Sequence, residues 1–457
     1  MSSHSGEGVG DSEPRVPLRS ALQTWAYVGV NSFGGPAGQI AVMHRELVER
    51  RGWVSDRRFL HALNTCMLLP GPEAMQLASY LGWLLNGVRG AVVAAGMFIL
   101  PGLSMVLVLS IVYVRFGTVS WVAALLAGLQ AAVISLVLQA LIRISRRALI
   151  SPLLVGVAVT SFIGVSLFAV PFPVIVLISG VLGWLLVKLP ADREVARGQG
   201  LLLGGREGMN AQPASLSEPA RSARRAATWC LALWLSPVIA IGVVFGTDSV
   251  FAQISWLLSK AAVLTFGGAY AILGYVADEA VGHYGWLTSD QMATGLGLAE
   301  TTPGPLVLVL VFVGFVAAYS SAGDLLAGLA GAGLAAWVTF LPALMFVFLA
   351  APIAERLRAN RSVTGALSAI SASVCGVILN LALWFAAHVL FASGAERDWG
   401  IVQVFVPDPL SVSWPMAALA LVAAVLVFRV PRVPTLAVLA VCAGLALLLD
   451  LGVPLQA

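Results

Sequence analysis

Long apolar runs separated by short polar loops dominate the chain. Blocks of membrane-spanning length occupy roughly 91–114, 119–142, 152–170, 173–189, 228–246, 325–351, 363–391, 412–428 and 434–450. A helix needs about 20 predominantly apolar residues to cross the hydrocarbon core, so each block predicts a transmembrane helix. Two segments break the pattern. Residues 1–17 are polar and lack an apolar leader core, which predicts a disordered cytoplasmic tail. Residues 190–226, where Gly, Ser, Pro and Arg prevail, predict a cytoplasmic linker that divides the protein.

Two further stretches, 18–86 and 250–318, are apolar enough to enter the membrane, but Gly and Pro clusters interrupt them. They are the same sequence twice. Ser32-Phe33-Gly34-Gly35-Pro36 matches Thr265-Phe266-Gly267-Gly268-Ala269 at an offset of 233. Without a gap, that offset also aligns Glu46 with Glu279, Gly52-Trp53 with Gly285-Trp286, and Pro70-Gly71-Pro72 with Pro303-Gly304-Pro305. Eleven of the 41 positions from 32 to 72 are identical. Farther on, an offset of 241 aligns Leu100-Pro101 with Leu341-Pro342 and Gln139 with Asn380. These matches predict an internal duplication, with a first repeat at 18–189, a connecting span at 227–247 and a second repeat at 248–457.

Composition agrees with the apolar pattern. Of the 457 residues 59% are hydrophobic and only 11% charged, against about 25% charged in a soluble domain. A mean hydropathy of +0.93 excludes a soluble globular protein. The net charge is +4, and the basic residues lie in loops. They read as orientation signals facing anionic lipid, with no nucleic-acid partner.

Arg143, Arg146 and Arg147 mark one loop as cytoplasmic, and the basic linker two spans later is cytoplasmic too. The single span between the repeats then turns the second one upside down, leaving the amino terminus inside and the carboxyl terminus outside. Residues 43–58 hold five arginines, whereas their counterparts 276–291 hold no Lys or Arg but do hold Asp278, Glu279 and Asp290. If the motif segments cross fully, the arginine-rich stretch lies outside; if they dip in and return, it lies inside. The second layout is preferred. The fold class that follows is an all-α polytopic membrane protein of two inverted-topology repeats, with broken or re-entrant helices, joined by a single extra span. Many secondary transporters share that plan.

Cys66, Cys230, Cys375 and Cys442 are far apart and have neither zinc-ligand nor redox-pair spacing, so they read as small core residues. His44, His61, His283 and His388 form no i, i+4 pair, which argues against a metal or haem site. No Gly-x-Ser-x-Gly, His-Glu-x-x-His or Walker-type loop occurs, so neither an embedded enzyme nor an ATP-driven pump is favoured, and no cofactor is implied.

The chemistry-bearing residues lie at the breaks. Pro70-Gly71-Pro72 and Pro303-Gly304-Pro305 cannot continue a regular helix, but Pro72, Pro305 and Pro36 each suit the start of a new one. A helix starting inside the membrane points free N–H groups and a partial positive charge at its entrance, which suits an anion. Lys260, in Ser255–Leu264, is one of only two lysines; a charge at membrane depth signals function unless it snorkels to the interface. Glu73 and Glu300 flank the two Pro-Gly-Pro elements, as capped helix ends or as carriers of a coupling proton. The Thr302 hydroxyl is a further donor. Glu46 and Glu279 read as packing residues of an interfacial helix.

At these residues the chain resembles the chromate ion transporter family in its long two-domain form. The matching pieces are Phe33-Gly34-Gly35-Pro36 with Gln39-Ile40, Gly52-Trp53 and Leu69-Pro70-Gly71-Pro72-Glu73-Ala74-Met75-Gln76. In the second half they are Thr265-Phe266-Gly267-Gly268-Ala269-Tyr270, Gly285-Trp286 and Thr302-Pro303-Gly304-Pro305. The resemblance implies export of chromate across the bacterial plasma membrane and chromate resistance. Sulfate is then a candidate competitor, because it shares charge and tetrahedral shape; a homodimer is a candidate assembly. Ala269 stands where the first half has Pro36, so the second Phe-Gly-Gly helix start is expected to be less sharply defined.

Overall fold

The computed structural model describes residues 16–186, 220–266, 268–353, 360–398, 403–430 and 433–450. The predicted tail apart from Val16 and Pro17, most of the predicted linker and Gly267 lie outside them. The chain is an all-α polytopic membrane protein. Its first half holds α1 (Leu18–Val30), α2 (Gly35–His44) continuing into a π-helical turn (Arg45–Arg50), α3 (Asp56–Cys66), α4 (Glu73–Phe116), α5 (Ser120–Ala148), α6 (Pro152–Phe168) and α7 (Phe172–Leu186). After α8 (Ala220–Phe245), the same order returns. It comprises α9 (Val250–Leu264), α10 (Ala269–Ala277) with its own π-helical turn (Asp278–His283), α11 (Ser289–Thr301), α12 (Val309–Ala322), α13 (Leu325–Ala350), α14 (Arg361–Leu390), α15 (Trp414–Arg429) and α16 (Thr435–Asp450).

The repeat explains an apparent mismatch at α4. Asn86 (φ −140°, ψ 23°) and Gly87 (φ 62°, ψ −153°) are not helical, so α4 is two arms joined by a sharp turn. Gly82 and Gly90 let the arms touch backbone to backbone, since a Cβ on either would overlap the other's carbonyl oxygen. The second half makes this turn between α12 and α13, where Gly314 and Gly331 meet in the same way.

The halves exchange their last helices. α5 packs against α15 and α16 of the second half, while α14 packs against α6 and α7 of the first. Glycines again set these approaches: Gly128 lies on the Cys442 carbonyl, Gly183 on that of Gly365, and Gly376 on that of Ala158. In a membrane, where lipid is as apolar as leucine, small residues that admit close backbone contact drive helix association. All four cysteines are buried, and Cys375 and Cys442 lie on these exchanged helices.

Two features depart from the sequence reading. α8 starts at Ala220, inside the predicted linker, because Arg221, Arg224 and Arg225 fall on the outer side of a turn whose Ala223, Ala226 and Ala227 are buried. Between α14 and α15, where no strand was expected, β1 (Gly394–Asp398) and β2 (Gln403–Pro407) pair antiparallel. α8 is peripheral: only 11% of its apolar window is buried, against 61% for α13 and α14. It leans on the second half, where Trp234 Nε1 donates to Ser259 Oγ at 3.0 Å and Trp337 Nε1 donates to the Leu233 carbonyl at 2.8 Å.

If exchanged helices hold the halves together, a bulky residue at an exchange contact is costly. Gly376→Leu is expected to destabilise the detergent-solubilised protein by about 1–3 kcal/mol, the usual range for overpacking. Gly96→Leu, at an exposed position of α4 with nothing within 4 Å of its Cβ position, is expected to leave the thermal midpoint unchanged.

Candidate functional site

At each Phe-Gly-Gly, one helix ends and the next begins. α1 stops at Val30, and Ser32 Oγ donates back to the Val28 carbonyl at 2.6 Å. α9 stops at Leu264, and Thr265 Oγ1 donates back to the Ala261 carbonyl at 2.6 Å. Both hydroxyls occupy the same place in their repeats and cap the same helix end. Phe33 lies in the bend, Gly34 takes the left-handed conformation that opens α2, and Pro36 sits in the first turn. In the second half Gly268 precedes α10, which starts at Ala269 without a proline. The other breaks follow α3 and α11. Pro72 caps the start of α4, with Glu73 as its first residue, and Pro305 precedes a short 3-10 turn (Leu306–Leu308) leading into α12.

The two kinds of break meet across the repeats. The Gly71 N–H donates to the Thr265 carbonyl at 2.8 Å, and the Gly304 N–H donates to the Ser32 carbonyl at 2.8 Å. Each Pro-Gly-Pro element is therefore clamped to the Phe-Gly-Gly element of the opposite half, and the bonds are reciprocal. Gly71 and Gly304 have φ of 128° and 97°, values that L side chains rarely adopt. The kinked helices exchange as well: Gly71 packs on Ala343 beside Pro342, while the Pro303 carbonyl rests on Gly102 beside Pro101. Pro70, Gly71, Pro72, Thr302, Pro303, Gly304 and Pro305 are all buried, so this arrangement is closed. The two glycine amides expected to face an anion are engaged by carbonyls here, and Thr302 Oγ1 donates to Ala299 at 2.8 Å.

Side-chain chemistry breaks this symmetry. Gln39 Nε2 donates to the Gly304 carbonyl at 2.5 Å, and Gln76 Nε2 donates to the Pro70 carbonyl at 2.7 Å. Both glutamines belong to the first half; Ile272 and Val309 stand at the equivalent positions of the second. The second half instead carries an acid–phenol pair, in which the Tyr270 hydroxyl donates to Glu300 Oε1. Arg143 on α5 acts electrostatically on both members of that pair, and Arg147 acts on Glu73.

The structure thus brings together Gln39, Gly71, Thr265, Gly304 and their flanking prolines. It places Lys260 elsewhere, with Nζ 5.7 Å from the ring centroid of Trp256, a residue 59% exposed on the periphery of α9. Gln76, Tyr270 and the Ser32 carbonyl were not singled out as site residues. A polar side chain on an otherwise apolar helix was the available signal for the first two.

Comparison with known proteins decides the family. The chain matches the chromate transporter family over residues 20–184 and 252–447, the two repeats. It belongs to that family. A chromate transport protein of Pseudomonas aeruginosa is 33% identical over 353 residues, covering 77% of this chain and 76% of the relative. One from Cupriavidus metallidurans is 28% identical over 366 residues, covering 80% and 82%. An uncharacterized transporter of Methanocaldococcus jannaschii is 23% identical over 386 residues, covering 83% and 85%. No solved structure matches the chain.

In this chromate transporter family member the matched loops keep one geometry and change charge. Gly52 and Gly285 (φ 61° and 62°) end the two π-helical turns, and Trp53 and Trp286 then donate backbone bonds to Leu47 and Ala280. Arg51 lies over the Trp53 ring at 4.9 Å; its counterpart Tyr284 stacks on Trp286 at 4.5 Å. Buried Glu46 accepts from Arg50 at 2.6 Å and faces Arg51 at 3.7 Å. Around Glu46 and Glu279, where an interfacial helix was expected, both copies form a π-helical turn. His44 bridges the first loop, with Nδ1 3.0 Å from Glu49 and Nε2 2.7 Å from Asp56.

The hydrogen bond to Asp56 raises the His44 pKa, aided by Glu49 and opposed by partial burial. A pKa raised on folding gives stability that is complete below the ordinary histidine range and disappears as pH rises through the raised value. Amide exchange in residues 45–56 is therefore expected to accelerate with rising pH through that window beyond the intrinsic rate increase. Asp56→Asn is expected to shift the change to lower pH.

Proposed function

We propose that the chain exports chromate across the plasma membrane as a secondary transporter and so confers chromate resistance. Two things support this reading: membership of the chromate transporter family over both repeats, and reciprocal clamps that join broken helices of opposite halves. Matched interruptions in two repeats are the best structural pointer to a transporter's substrate site. Releasing the clamps frees the Gly71 and Gly304 amides, with the Gln39 and Gln76 side chains beside them. Those are donors for an oxyanion, the chemistry that helix starts favour.

Direction follows from charge. In the proposed orientation the arginine-rich 43–58 loop is cytoplasmic and the acidic 276–291 loop is outside, with the amino terminus inside and the carboxyl terminus outside. A basic surface concentrates the anion where export begins. Moving one charge across 100 mV is worth about 2.3 kcal/mol, so an anion leaving a negative interior gains at least that much. Membrane potential then suffices as the driving force. Where the proton gradient contributes, Glu73 and the Tyr270–Glu300 pair are the carriers.

Everted vesicles containing the protein are expected to accumulate labelled chromate when energised. Gly71→Ala is expected to lower that uptake by about tenfold or more while the protein still inserts. A left-handed backbone costs an L residue roughly 1–2 kcal/mol, and the new Cβ would sit 2.8 Å from Gln76 Nε2 and 3.1 Å from Ala343 Cβ. Uptake of sulfate in place of chromate would assign the protein to a different oxyanion. Full chromate uptake by the variant would remove the clamps from the mechanism.

A further inference from the structure

We propose that Gln39 and Gln76 select the transported anion by accepting a hydrogen bond from it, so that the species carried is the monoprotonated oxyanion, hydrogen chromate. The inference rests on the functional reading above and names the form of substrate that the same site takes. Each glutamine amide is oriented without ambiguity, because its Nε2 must face the backbone carbonyl it donates to, Gly304 for Gln39 and Pro70 for Gln76. The oxygen is thereby turned away from that carbonyl. Both residues are essentially inaccessible, at 1% and 0% exposure, and neither Oε1 has a hydrogen-bond partner. Buried polar atoms are almost always paired, and an oxygen left over at each of two broken-helix clamps needs a donor.

The scaffold does not require these amides. Ile272 and Val309 take their places in the second half, where the reciprocal clamp closes equally well. Their role is therefore toward a ligand. A fully deprotonated tetrahedral dianion presents lone pairs to lone pairs at both oxygens. A monoprotonated one offers an O–H to one of them while its remaining oxygens take the amide donors. Chromate holds its last proton until near neutral pH, whereas sulfate and selenate, of equal charge and shape, lose theirs in strong acid. An acceptor in the site thus separates anions that amide donors alone treat alike.

The titratable and charged groups around the two clamps are Glu73, with Cys66 and Arg147 acting on or near it, and the Tyr270–Glu300 pair with Arg143. Titration of any of these would alter transport of every anion together, which separates their effect from that of the substrate's own proton.

The test uses the full-length protein in proteoliposomes, with labelled chromate as substrate and sulfate or selenate as competitor, from mildly acid to mildly alkaline pH. The half-saturating concentration of total chromate is expected to rise about tenfold per pH unit above the pKa of hydrogen chromate, while sulfate and selenate compete weakly throughout. Gln39→Leu and Gln76→Leu are expected to narrow the preference for chromate over sulfate by about tenfold. Should either variant fail to fold, the pH profile of the unaltered protein still decides. Chromate saturation that ignores pH, equal competition by selenate, or a pH dependence common to all three anions would overturn the proposal while leaving chromate transport intact. Absence of chromate transport at every pH would instead overturn the functional reading and this proposal with it.

Discussion

Backbone N–H and C=O groups left over where a helix stops at membrane depth have no water to turn to, so each must find a partner in the protein. Among the described residues the two Phe-Gly-Gly and two Pro-Gly-Pro elements make four such stops. The chain answers by letting the stops satisfy one another: the Gly71 amide takes the Thr265 carbonyl and the Gly304 amide takes the Ser32 carbonyl. Side chains of each half cap part of its own breaks, but the Gly71 and Gly304 amides are met from the opposite half. The same exchange governs the larger packing, in which α5 lies on α15 and α16 and α14 lies on α6 and α7. A repeat on its own would expose polar backbone at both breaks and leave its long helix without its pair of neighbours. The duplicated half is therefore half of a mutually completed structure.

A symmetric scaffold carries asymmetric chemistry. The clamps, the capping hydroxyls of Ser32 and Thr265 and the glycine-lined hairpins recur in both halves because they solve a backbone problem common to both. Gln39 and Gln76 occur only in the first half, and the Tyr270–Glu300 pair only in the second. Residues that merely closed the fold would have no reason to differ between copies. The unpaired differences therefore direct attention to the ligand: two buried amides in one half and an acid–phenol pair in the other.

Much of this was legible in the sequence, for identifiable reasons. Gly and Pro act locally, so Phe-Gly-Gly and Pro-Gly-Pro mark broken helices wherever they stand, and a constant offset of 233 discloses the duplication. Membrane spans follow from apolar length alone. What could not be read was pairing. Nothing local tells whether Gly71 bonds to its own half's Ser32 or to the other half's Thr265, since both are small hydroxyl residues in the same motif. For a related reason the charge of Lys260 was visible but its neighbour was not, because the face of α9 it occupies, alongside Trp256, depends on how that helix is turned. The α4 turn at Asn86–Gly87 falls where the interrupted stretch 18–86 gives way to the apolar block 91–114.

The loops show how the two copies diverged in charge without diverging in shape. Both end a π-helical turn on a left-handed glycine, and both place a tryptophan next, held by backbone bonds to matched positions. The group stacked on that tryptophan is a guanidinium in one copy and a phenol ring in the other, Arg51 and Tyr284. Flat groups of either kind satisfy the indole face, so the contact survives the exchange while the charge does not. Around Glu46 the first copy adds Arg50 and Arg51; around Glu279 the second adds Asp278. The fold thereby holds a basic loop and an acidic loop on equivalent frames. A basic surface attracts an anion and an acidic one repels it, and the groups that set this difference take no part in the clamps.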